Sequence, residues 1–444
     1  MQPPNPARYE RLAGALHELM RRYGYQRLET PVLQPADLFL TRAGDQIISR
    51  LFTFDHRGRQ MALRPEYTST ALSLYCAQAS DVPVRWQFGG FVFEDAPDAP
   101  LQQHASIGAE LFGVAEALAD AEIIELALTG LAQAGIDTAV AVIGHVGLLR
   151  WFVQQQVPDA RLQRFLLNQI HLLRTAEGEA RVREQIDRLL STGLVVTGAA
   201  AKNNSPSPAI MDALLQSLEG AQLMGGRSRD DIQRRLDRKL ARAEARPQIE
   251  AALSRMSELL AIEGTRSHVF AELRALIGGD QRGLALLADW ANILDAAEAL
   301  GVDPARLLLS PGLSRNWDYY SGIVFELRGA NHDFGGGGRY DELARLLGSP
   351  QPVPAVGFAY YVDAILEALP ETGQEGRTWT LGGAALTPAV SAWLAALRAG
   401  GLSVALVPTN ADLVIDNDSQ LRAGERTFRL QDAADAVRHL EAQS

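Results

Sequence analysis

Cysteine occurs once in the 444 residues, at Cys76, which excludes an intramolecular disulfide and a cysteine-based zinc cluster. It lies in the apolar helical stretch ALSLYCAQ, where a buried structural thiol is expected. Lysine is almost as scarce, at Lys202 and Lys239 only, so arginine carries the positive charge and few candidates remain for a catalytic lysine. No uninterrupted apolar run is long enough to span a bilayer, and the opening MQPPNPARYERL lacks the basic start and apolar run of a signal peptide. A cytoplasmic location is expected. Cationic excess is missing as well: 42 basic against 53 acidic side chains give a formal charge of -11, which disfavours general nucleic-acid binding. No metal site and no cofactor are expected.

What is present is a hydrophobic content of 47%, enough over this length to bury more than one core, so two or three domains are expected. From Pro6 to Tyr23 the apolar positions Leu12, Leu16, Leu19 and Met20 have the spacing of an amphipathic helix. Leu51 to Leu63 alternates apolar and polar residues around His56, Arg57 and Gly58, the pattern of a β-hairpin. Arg64, Pro65, Glu66, Tyr67 and Thr68 follow, and then the helical STALSLYCAQA. Val84 to Gly113 reads as two strands joined by a loop in which Asp95 and Asp98 are the only charges.

In IGHVGLLR, a strand passes into a helix at His145, and a capping or packing histidine is favoured over a catalytic base because nothing nearby in sequence pairs with it. Leu162 to Leu276 is strongly helical, with a break at Ala199 to Pro208. The arginines and carboxylates of Arg229 to Arg246 suit a solvated helix face laced with ion pairs. The run Gly335 to Gly338 lies between strand-like IVFEL and helix-like YDELARLL, which suits a bend where backbone comes close to a ligand. No lysine followed by serine or threonine comes after it, so it is not a P-loop.

The order of these segments, with SRNWDYYSGIVFEL, HDFGGGGRYDELARLLG and PAVGFAYYVDAIL, resembles the histidyl-tRNA synthetases, a class II synthetase family, over about Tyr9 to Leu369. The resemblance implies an α+β fold. An antiparallel sheet flanked by helices would occupy residues 1–375, with a helical insertion at about 155–280. A small α/β domain like a reduced anticodon-binding domain would occupy 376–444, with Asp412, Asp416 and Asp418 where cationic character would serve RNA. It also implies a dimer interface built from the first helix, the following strand and Pro31.

Glu66 and Thr68 match the family's RPEGT, which receives histidine, with Tyr67 in place of the glycine, where it would narrow the pocket or displace the loop. Glu110 matches the histidine-binding glutamate, and Ser106 replaces a glutamine. Arg315, Tyr319 and Tyr320 match the RGLDYY segment, while Gly336, Gly337 and Tyr340 fall on the floor of the amino-acid pocket. An imidazole calls for a carboxylate or phenol at each ring nitrogen and an amino-acid carboxylate for a cation, a set these residues supply.

The two arginines that bind ATP in the family are absent, Val92 standing at one position and Ala364 at the other. Such donors are commonly worth about 3 kcal/mol each in the transition state, so adenylation is expected to be lost and no catalytic residue is assigned. This pattern, with IGHVGLLR, resembles the inactive branch of the family that serves as regulatory subunits of short-form ATP phosphoribosyltransferase. In that branch a homodimer within a hetero-oligomer joins a catalytic subunit and takes histidine as effector, and tRNA is not expected as a ligand. Two other readings remain. One is a divergent histidine-tRNA ligase that uses other cations for ATP, such as Arg315, Arg339 and magnesium. The other is a paralogue that binds a different small molecule or retains the pocket only for packing.

Overall fold

The computed structural model describes residues 6–40, 50–78, 82–96, 102–157, 159–175, 177–192, 247–313, 315, 319–370, 378–382, 387–416 and 419–442. Lys202, Lys239, the break at 199–208, the charged run 229–246, Asp98 and Asp418 lie outside them. The chain divides into two compact units, one holding Leu12–Ala368 and the other Pro4–Arg11 with Leu369–Ser444.

The helix Pro6–Arg22, which belongs to the larger unit from Leu12 onward, buries Leu12, Leu16, Leu19 and Met20, the face its spacing specifies. Strands β1 (Gln26–Arg27), β2 (Leu33–Pro35), β3 (Thr53–His56) and β4 (Arg59–Leu63) follow. The β3–β4 hairpin turns at Arg57 and Gly58, both left-handed, with φ of 54° and 76°. A small sheet has the order β2-β4-β3.

The main sheet gathers β5 (Val84–Phe93), β6 (Gln103–Phe112), β7 (Val140–His145), β8 (Leu307–Leu309), β9 (Ile323–Arg328), β10 (Asp333–Arg339) and β11 (Ala355–Tyr361). With β1 at one edge the order is β1-β5-β6-β11-β10-β9-β7-β8. The six central strands pair antiparallel, and each edge strand pairs parallel with its neighbour. The expected α+β architecture, an antiparallel sheet flanked by helices, is the one observed.

Helices Ala117–Gln133 and Gln281–Ala299 pack on each other, the first lying against β11. Helices occur among the described residues from Ala160–Asn168 through Gly178–Thr192 and again over residues 247–260. No helix among the described residues is long and apolar enough to cross a membrane.

Two local expectations need correction. The glycine run is not a bend: Gly335 to Gly338 lie inside β10, paired to β9 and β11, because residues without Cβ let neighbouring backbone close on both sides. Cys76 is half-buried rather than buried, packed at the margin of the core that holds Tyr75 and Phe112. His145 caps its helix as expected, and it also has a partner remote in sequence. Its Nδ1 accepts from Leu148 N at 3.1 Å, capping the helix Val146–Gln156, and its Nε2 lies 3.3 Å from Asp289 Oδ2.

The C-terminal unit contains β12 (Trp379–Gly382), the helix Pro388–Ala399, β13 (Val404–Val407), β14 (Leu413–Ile415), β15 (Leu421–Ala423), β16 (Arg426–Phe428) and the helix Ala433–Glu441. Strand order is β13-β12-β14-β15-β16, closed over Trp379, Trp393, Leu413 and Leu440. The β15–β16 hairpin has no counterpart in the sequence reading, since three-residue strands give almost no periodicity. Asp412 and Asp416 serve local structure: Asp412 accepts from Thr380 N at 2.9 Å and Asp416 from Gln420 N at 2.9 Å.

Candidate functional site

Strands β5, β6, β10 and β11 and the start of the helix Thr68–Ala77 enclose a cavity of about 280 Å³. Its floor includes Gly336, Gly337 and Gly357. A Cβ on Gly336 would collide with the Arg315 guanidinium and the Phe325 carbonyl, and one on Gly357 would collide with the Glu110 carboxyl. Glycine at these positions therefore clears space for two ionisable side chains from elsewhere in the chain.

Arg315 lies against this floor. Its Nη2 donates to the Tyr361 hydroxyl at 2.8 Å, and its Nη1 donates to the carbonyls of Phe325 and Gly335 at 3.4 and 3.3 Å. Nε is buried and lacks a hydrogen-bond partner. All three acceptors are neutral, so the guanidinium keeps its charge available to an anion.

Glu66, Thr68 and Ser106 line the cavity, as do Tyr319, Tyr320 and Tyr340. The three rings pack on one another, Tyr319 and Tyr320 with centroids 4.9 Å apart and Tyr340 edge-on to both. Glu66 caps the adjoining helix, accepting from Ser69 N at 3.0 and 3.1 Å. Burial raises its pKa.

Glu110 is placed differently from the other candidate residues, beneath the wall instead of on it. Thr68 Oγ1 donates to it at 2.5 Å, and the Tyr340 hydroxyl donates to its other oxygen. Burial, partly offset by these two donors, pushes its pKa up to about 8. At neutral pH the group is mainly protonated, so its influence on a ligand runs through Thr68 and Tyr340.

The end of the cavity marked by Val92 contains a cation that sequence reasoning missed. Arg50 lines it, paired with Glu94 at 2.6 Å, and His104 stands beside them. The Asp95 amide donates to the Arg50 carbonyl at 2.8 Å, a contact that docks this loop against the end of β5. Nothing in the sequence around Arg50 indicates that tertiary contact. Ala364 is not among the lining residues and lies on the helix Val362–Ala368, beyond Tyr361.

Arg339 is corrected as a candidate ligand of ATP. Its side chain is buried, its Nε donating to both Asp120 oxygens at 3.0 Å and its Nη1 to the Val114 carbonyl at 3.2 Å. A guanidinium so engaged holds the sheet to the helix Ala117–Gln133 and has no reach into the cavity.

The family described as histidyl-tRNA synthetase matches residues 1–192 and 206–365. The chain belongs to the histidyl-tRNA synthetase family. It is 28% identical over 358 residues to a histidine-tRNA ligase of Methanocaldococcus jannaschii, covering 79% of this chain and 69% of that protein. It is 32% identical over 378 residues to an ATP phosphoribosyltransferase regulatory subunit of Allorhizobium ampelinum, covering 80% of this chain and 96% of that one. A solved structure from Bacillus halodurans, described as an ATP phosphoribosyltransferase regulatory subunit/histidyl-tRNA synthetase, superposes with a TM-score of 0.64 at 23% identity, over 91% of this chain and 90% of its own. At that identity the likeness speaks for the fold alone. The chain is thus a synthetase paralogue similar to the regulatory subunits.

For a member of this family the substitution at Tyr67 has a structural answer. The residue has φ of -97° and ψ of -27°, so it needs none of glycine's conformational freedom. Its ring stacks on Phe88 at 4.3 Å with the Arg64 guanidinium 4.2 Å above it, and it contributes to the cavity wall. Arg64 in turn donates to the carbonyls of Thr30 and Phe91 at 2.7 and 2.9 Å, joining three segments around that ring.

Proposed function

We propose that the chain is the non-catalytic regulatory subunit of a short-form ATP phosphoribosyltransferase and that the cavity binds histidine as effector. The observation that carries this reading is the asymmetry of one cavity. Glu66, Thr68, Ser106, Arg315 and the tyrosines all line it, whereas Val92 stands where the family pattern has an arginine and the lining Arg50 is already paired to Glu94. A volume near the lower bound of the ~300–1,000 Å³ common for ligand sites suits an amino acid better than a nucleotide. Regulatory-subunit relatives matched along nearly their whole length support the same assignment.

In this reading the Arg315 guanidinium takes the effector carboxylate, and Glu66, Thr68 and the tyrosine hydroxyls offer partners to the amino group and imidazole. Phosphoribosyl transfer takes place on the catalytic partner, in a cytoplasmic hetero-oligomer that contains this chain as a homodimer. A sensor must hold histidine without activating it, and linkage then makes its affinity depend on the partner's state.

The test is histidine-dependent exchange of pyrophosphate into ATP, read beside a calorimetric titration with histidine. Binding without exchange, together with histidine-sensitive activity of an added short-form catalytic subunit, is expected. Sustained exchange would instead establish a divergent ligase, a reading favoured by Arg50 at the nucleotide end and by the ligase relatives.

A further inference from the structure

A second cavity of about 410 Å³ opens on the far side of Arg315 and Tyr320, between the helices Val146–Gln156 and Ala160–Asn168. Arg150 and Arg164 line it together with Arg315, and no carboxylate is among the described residues that line it. Leu149 and Leu167 supply apolar wall. In a chain of net charge -11, three guanidinium groups are brought together here from three segments.

We infer that this cavity is a second ligand site, for a small molecule bearing a phosphate or pyrophosphate group, and that it shares Arg315 with the first cavity. Planar guanidinium forks pair bidentately with phosphate oxygens, and a multiply charged anion repays the convergence of three arginines better than a single carboxylate. The apolar wall accommodates the uncharged body of such a molecule. Arg315 and Tyr320 border both cavities. Arg315 meets only neutral acceptors, with Nε unpartnered, so an anion on either side draws on the same charge. Occupants of the two cavities therefore weaken each other, by the same factor in each direction.

Phosphate binding here does not depend on what fills the first cavity; only the coupling rests on the histidine reading. The probe is inorganic pyrophosphate, titrated calorimetrically into the full chain, the R150Q and R164Q variants, and the double variant. Saturable binding is expected, weakened about tenfold by each substitution. Thermal melts check that the variants remain folded, and their histidine affinity is expected to stay within about twofold of the unsubstituted chain. Saturation with histidine is expected to weaken pyrophosphate binding several-fold.

Absence of saturable binding at millimolar pyrophosphate would overturn the site, as would affinity unchanged in the double variant. Binding of a short RNA duplex with the same arginine dependence, and none of pyrophosphate, would reassign the cavity to nucleic acid. Pyrophosphate binding indifferent to bound histidine would overturn the sharing of Arg315. If histidine itself fails to bind, the pyrophosphate titration still decides the site, so the two readings fail separately.

Discussion

At the residue scale, the buried carboxyls behave according to their partners. Glu110, with a pKa of about 8 in the fold against 4.5 in the unfolded chain, holds a proton in the folded state through a window where the unfolded state has lost it. Its contribution to stability is fully present below the unfolded value and is lost as pH rises through about 8. Glu66 is raised too and adds the same sign. Glu110→Gln should therefore flatten the decline of the urea midpoint between about pH 5 and 8, by up to ~4 kcal/mol at the alkaline end. An unchanged slope would refute this. Burial raises the Asp120 carboxyl too, but there Arg339 answers its charge inside the core. Arg339→Met leaves that carboxylate buried and unpaired and should cost about 3–5 kcal/mol in a guanidinium melt, with partial recovery when Asp120→Asn is added. A loss under about 1 kcal/mol would show the pair to be solvated.

At the element scale, β10 shows how four glycines serve a strand. Between β9 and β11 each would thrust a Cβ at neighbouring backbone, and Gly336 would also meet Arg315. Gly336→Ala should displace that guanidinium, destabilise the fold by at least ~2 kcal/mol and weaken histidine binding more than tenfold. Calorimetry at a temperature where the variant stays folded separates the two effects, and wild-type affinity there would show that Arg315 does not hold the ligand. Helix and hairpin positions were legible because the face of Leu12, Leu16, Leu19 and Met20 and the turn at Arg57 and Gly58 are local patterns. The identity of β10 as a strand was not, because glycine leaves no alternation of side chains to read.

At the scale of the whole molecule, charge limits what the surface attracts. With a net -11 and Asp412 and Asp416 committed to turn and strand contacts, the chain should not retard tRNA in a gel at about 0.15 M salt. A salt-sensitive shift at submicromolar protein would contradict this. The helix Ala160–Asn168, whose periodicity is legible, supplies a cavity wall only because it folds back towards Val146–Gln156. That return depends on packing between segments, which composition does not encode.

The sequence by itself determined the family, the order of elements and several residues of the cavity wall, because Glu66, Thr68, Ser106 and Arg315 stand in short motifs whose spacing survives substitution. Only the tertiary structure decided that Glu110 acts from beneath the wall, that Arg339 is spent on Asp120, and that Arg50 and Tyr361 reach the cavity and Arg315. Those facts depend on which distant backbone closes over which side chain. Burial and neighbouring charge then fix the protonation and pairing of each group.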